Sequence, residues 1–98
     1  MTPQDKAKLV KALRSGVFPQ GKLYLCREGK YCCMGVAKVV LLPEATRGRI
    51  YASDASLTTE EMAQIGITHA QHDYYVGMND GGATFLDIAD DIENNAEL

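Results

Sequence analysis

The residues of this 98-residue chain best suited to chemistry are its three cysteines and two histidines. Cys26, Cys32 and Cys33, with His69 or His72, offer thiolate and imidazole, the ligand types of a zinc centre, and His69-x-x-His72 falls on one face of a helix. Their spacing argues against a centre. Structural zinc takes Cys-x₂₋₄-Cys knuckles, whereas adjacent cysteines point apart. An odd number of thiols, two of them vicinal, provides no disulfide framework. Three reduced cysteines in a cytosol-like compartment are expected, packing as small hydrophobes. A nucleophilic Cys32 would need the helix start that its position suggests, where the local field favours thiolate, but no activating motif accompanies it. His69, His72 and Asp73 could pass protons, although in an acidic stretch solvated or acid-paired imidazoles are the simpler reading. No metal, cofactor or catalytic residue is assigned.

Charge carries the stronger signal. A net charge of −3 conceals a division by position. Residues 1–50 hold all ten Lys and Arg beside three acids (Asp5, Glu28 and Glu44), a balance of +7. Residues 51–98 hold ten acids and no Lys or Arg, a balance of −10. Arg14, Lys22, Arg27, Lys30, Arg47 and Arg49, with Tyr24 and Tyr31, are the expected basic face, suited to phosphate or nucleic acid if the hairpin folds beside the first helix. Asp87, Asp90, Asp91 and Glu93 are the expected acidic face, open to a basic partner protein. The competing reading is that the two poles neutralise each other inside one fold.

These residues need elements to position them. Thr2, Pro3 and Asp5 read as the start of a helix over 3–15, with Leu9, Val10, Ala12 and Leu13 as its apolar stripe and Gly16 as its end. Lys22–Cys26 has strand character, Arg27-Glu28-Gly29-Lys30 is a hairpin turn, and Tyr31 begins the return strand. Residues 32–42 fit either a buried strand or a helix enclosed on nearly all sides; the helix is favoured, and Pro43 stops it. The 11-residue apolar stretch over 32–42 includes Lys38 and is far short of the roughly 20 residues that span a bilayer, and no signal peptide is read at the start. A 14-residue loop over 43–56, with room for a short strand at 50–52, is long for a small domain, a common mark of functional loops. Thr58-x-x-Glu61, Thr68-x-x-Gln71 and Thr84-x-x-Asp87 then repeat one capping pattern before three helices. Leu57 and Met62 form a staple across the first. Asn79-Asp80-Gly81-Gly82 closes the second at about Met78, and it lacks the spaced oxygen ligands of a calcium loop. The expected fold class is α+β: one small domain of four or five short helices packed around one β-hairpin. Its expected core is Leu9, Leu13, Leu25, Cys33, Val36, Val40, Met62, Ile65, Phe85, Ile88 and Ile92.

Three segments together carry a resemblance. Ala12-Leu13-Arg14-Ser15-Gly16 with Gln20-Gly21 leads to Tyr31-Cys32-Cys33-Met34-Gly35-Val36, and Met78-Asn79-Asp80-Gly81-Gly82 leads to Phe85-x-x-Ile88-Ala89-Asp90-x-Ile92-Glu93. This pattern resembles a group of small proteins encoded by tailed phages and prophages, with Met34 and Met78 where the group carries Leu, swaps that conserve volume. The resemblance implies an accessory protein acting in the cytoplasm of an infected cell and transfers no catalytic residue. The leading expectation is a protein that binds a host macromolecule, most simply a host protein, to counter a defence or regulatory system. The alternative is binding of a phosphorylated small molecule or nucleic acid through the basic face. No membrane partner is expected, and the oligomeric state is left open.

Overall fold

The computed structural model describes residues 1–43 and 53–98. The short strand expected at 50–52 and most of the 43–56 loop lie outside those residues. The described chain is a small α+β fold of five helices and one two-stranded hairpin.

Helix α1 (Pro3–Arg14) starts where Thr2 Oγ1 accepts the Asp5 N–H at 3.1 Å, and it buries Leu9, Val10 and Leu13. It stops one residue short of the expected end, with Ser15 as cap. Strands β1 (Cys26–Arg27) and β2 (Lys30–Tyr31) pair antiparallel, Cys26 opposite Tyr31 and Arg27 opposite Lys30. The two turn residues both have positive φ, Glu28 at +55° and Gly29 at +75°. That is the type I′ geometry whose twist matches the strands it joins.

The strand expected over Lys22–Cys26 is corrected to its last residue: 22–25 bend, and Leu23 takes φ +72°. The reason is that the free edge of β2 is already occupied. Gly21 N–H donates to Tyr31 O at 2.7 Å and Tyr31 N–H to Pro19 O at 2.8 Å, which runs residues 19–21 parallel to β2. The chain must then double back through 22–25 to enter β1 on the opposite edge. Leu25 anchors the reversal. Its side chain is buried, its N–H donates to Asp54 O at 2.8 Å, and its carbonyl accepts the Cys32 N–H at 3.2 Å.

Helix α2 (Cys33–Leu41) is the enclosed helix expected there, since every residue from Cys33 to Lys38 is buried. Gly35 explains how the hairpin reaches it. A Cβ at this position would stand 1.8 Å from the Leu25 carbonyl oxygen, so only glycine permits the approach. Helices α3 (Thr59–Ile65), α4 (His69–Asp80) and α5 (Phe85–Asn94) each open with a complete capping box on Thr58, Thr68 and Thr84. In each, the threonine hydroxyl accepts one orphan backbone N–H and the acid or amide three positions on accepts another. α4 runs two residues past the expected Met78.

A single apolar cluster joins these elements. α1 packs chiefly on α5 and α2, α2 also packs on α4, and α3 leans on α4. Of the expected core only Val40 is not fully buried; it lines the edge of the cluster. No helix of the described residues is long and apolar enough to cross a membrane.

Candidate functional site

The thiols belong to the core. Cys32 and Cys33 are buried and Cys26 is half-buried, and all three are free. Burial pushes the pKa of both Cys32 and Cys33 up. The Cys32 sulfur does receive help from the backbone N–H groups of Gly35 and Met34 at the start of α2, but desolvation outweighs it. The helix-start effect that would make Cys32 a nucleophile is therefore overturned by burial. The Cys33 thiol donates to Tyr75 O at 3.4 Å.

The histidines are structural. His69 Nε2 lies 3.1 Å from the Thr59 hydroxyl. His72 is buried; its Nε2 accepts the Leu57 N–H at 3.2 Å, which leaves Nδ1–H to face Asp73 at 3.0 Å. The ring thus pins the segment ahead of α3 to α4. Among the described residues no group of three or more His, Cys, Asp or Glu side chains is placed to hold a metal ion.

The expected acidic face is largely occupied from within. Arg14 reaches Asp90 at 2.7 Å and Glu93 at 3.0 and 3.2 Å, a fork that raises its own pKa through the hydrogen bonds to Glu93 and Asp90 and lowers that of Glu93. Asp91 accepts from the hydroxyls of Tyr74 at 3.0 Å and Tyr75 at 2.8 Å. Asp87 completes the cap of α5. Lys6, on α1, donates to Asn95 O at 2.6 Å. A buried pair adds to this: Lys38 meets Glu61 at 2.7 Å with side chains only 7% and 14% exposed. Burial disfavours the Glu61 carboxylate, but Lys38 and the Thr58 N–H outweigh it and hold its pKa below the usual range. Tyr75, buried beside Asp91, has its pKa pushed up to about 12, burial being the main cause.

The expected basic face divides. Arg14 leaves it, because its guanidinium belongs to the α5 acids. Arg47 and Arg49 lie outside the described residues. Tyr31 packs its ring edge-on against Phe18 at 5.2 Å. Lys22, Arg27 and Lys30 stay exposed and form no ion pair among the described residues. The hairpin register sets Arg27 beside Lys30, and Gly21 lies so close to Lys30 that a Cβ there would meet its Cβ at 2.8 Å. The Arg27 guanidinium covers the Tyr24 ring at 4.5 Å. Three cations and one ring are thus gathered on the hairpin and the reversal leading into it, residues 22–31, which carry a single acid, Glu28.

What holds this face was not visible in the spacing of residues. Asn79, fully buried, accepts from Gln20 Nε2 at 3.0 Å and the Cys33 N–H at 3.2 Å and donates to Gly21 O at 2.8 Å. Gln20 also donates to Ala83 O at 2.8 Å and accepts the Phe85 N–H at 3.0 Å. Asp80 Oδ1 accepts the Leu23 N–H at 2.9 Å and so holds the left-handed turn, a conformation that costs a leucine roughly 1–3 kcal/mol. Gln20-Gly21 and Asn79-Asp80 both stand in the motifs quoted above, and that was the only signal of their role. Comparison with protein-family models, with curated proteins and with solved structures finds no match for this chain.

Proposed function

We propose that this protein is a binding module, a phage-encoded accessory protein that engages a host macromolecule through the hairpin face. One observation carries the reading: Lys22, Arg27 and Lys30 stand exposed with no acid partner among the described residues, while Asp90, Asp91 and Glu93 have partners inside the fold. A basic surface of this kind steers an acidic partner and selects it by complementarity. The resemblance to phage proteins supplies the setting, an infected bacterial cell in which such binding would blunt a defence or regulatory system. The test is affinity capture from candidate host extracts with the wild-type chain and with Lys22→Glu/Lys30→Glu. A host protein retained by the wild type and lost by the double variant is expected. Equal retention by both, or no retained protein from any host, sinks the reading.

A second reading, a phosphate-bearing ligand or nucleic acid on the same face, draws on the Arg27–Tyr24 stack, since rings beside cations suit bases and phosphates. It requires binding of a single-stranded oligonucleotide that weakens with added salt and with Arg27→Ala. Salt-indifferent binding would remove it.

A further inference from the structure

Leu23 is 63% exposed on a backbone at φ +72°. So exposed a side chain gains little from the core to offset that conformation, and glycine would hold the same turn without strain. Its N–H is nevertheless fixed by Asp80, so the residue is set in place and not loose. Two further large apolar side chains stand outward on segments fastened to the same region. Val17, 72% exposed, precedes Gln20 by three residues, and Leu86, 59% exposed, follows Phe85, whose N–H donates to Gln20 Oε1. Lys22 adjoins Leu23 in the chain, and Lys30 lies against Gly21.

From this arrangement we infer that Leu23 is a preset apolar anchor of a protein-binding surface, and that its partner is a peptide segment carrying an apolar side chain flanked by Asp or Glu. The inference rests on the hairpin face being the binding surface. A nucleic acid is gripped by cations and flat rings and gains little from an aliphatic branch, whereas a specific protein interface is built as an apolar centre within a polar rim. Charge complementarity defines the flanks of the partner, because Lys22, Arg27 and Lys30 have no acid of their own among the described residues. The strained backbone is pre-organised, so the anchor is presented without a backbone ordering cost on binding.

A displayed library of random peptides selected on the full chain tests this. Enriched peptides should share Leu, Ile or Phe with Asp or Glu beside it. A synthetic peptide of that pattern should bind Leu23→Gly about tenfold more weakly, with a thermal midpoint equal to or above that of the wild type. Leu23→Asn, which also tolerates the left-handed turn, should repeat the loss. If Lys22→Glu/Lys30→Glu abolishes binding while Leu23→Gly leaves it unchanged, the hairpin face stands and the anchor falls. If neither variant weakens binding, both fall. Enrichment without acidic residues, no enrichment, or a lowered midpoint for Leu23→Gly would each overturn the anchor.

Discussion

The helical body and the 16–31 segment are built on opposite terms. In the body, three capping boxes close helix starts, Arg14 ties α1 to α5, and the buried Lys38–Glu61 pair joins α2 to the start of α3. In the 16–31 segment, regular structure is two strands of two residues, two non-glycine residues have positive φ, and three cations lack acid partners among the described residues. The segment is held instead at a few buried points: Leu25, Gly35 and the Gln20–Asn79 hub. The contrast teaches that packing and the display of side chains are assigned to different stretches. The body supplies rigidity, and the segment displays side chains that the core does not use.

The sharpest way to break this division is at its hinge. Gly35→Ala sets a methyl against the Leu25 carbonyl, and because backbone cannot yield like a side chain, the loss should reach about 4 kcal/mol, above the usual range for overpacking. Urea denaturation would check it, and a variant as stable as the wild type would mean the hairpin does not seat on α2 as described. Next comes Asn79→Ala, which strands the Cys33 N–H and the Gly21 carbonyl and takes one of the Gln20 amide's partners; about 3 kcal/mol is expected. Amide exchange should then rise first over residues 19–23.

Lys38→Ala probes the body alone. It leaves Glu61 without its buried cation, and since Glu61 keeps some solvent access the loss should be about 2 kcal/mol, below the roughly 3–5 kcal/mol of a fully buried pair. The pH dependence follows from the depressed pKa of Glu61. Its folded carboxylate gives up its proton more readily than the unfolded one, so its contribution is complete above the ordinary value of 4.5 and is lost as pH falls through the lower folded value. Stability measured from pH 6 down to pH 3 should fall in the wild type and fall less in Lys38→Ala. The smallest effect belongs to Lys22→Glu/Lys30→Glu, expected within about 0.5 kcal/mol of wild-type stability. A large loss there would erase the contrast between body and segment.

Much of the architecture was legible as spacing. The capping boxes, the α1 stripe and the Glu28-Gly29 turn are recognised because their hydrogen bonds or contacts join residues at most four positions apart. The enclosed character of α2 could be read from its apolar density, although the same density also suited a strand. The strand expected at Lys22–Cys26 shows where such reading ends: its residues have strand propensity, but with 19–21 on one edge of β2 and β1 on the other, 22–25 are spent on crossing between the two. The basic face was legible as composition, and its membership was not.

Charge shows the boundary most clearly. That the basic residues lie in one half of the chain and most acids in the other is written in the order of amino acids. Which of them neutralise each other was decided by packing, since Arg14 and Glu93 are 79 positions apart and meet only because α1 lies on α5. Asn79 and Gly21, 58 positions apart, are joined in the same way. Periodicity and capping are local and repeat with the geometry of the backbone, whereas ion pairs and buried networks depend on where distant elements come to rest. The +7 and −10 halves were therefore a property of the chain, and which of the described cations face outward unpaired is a property of the fold.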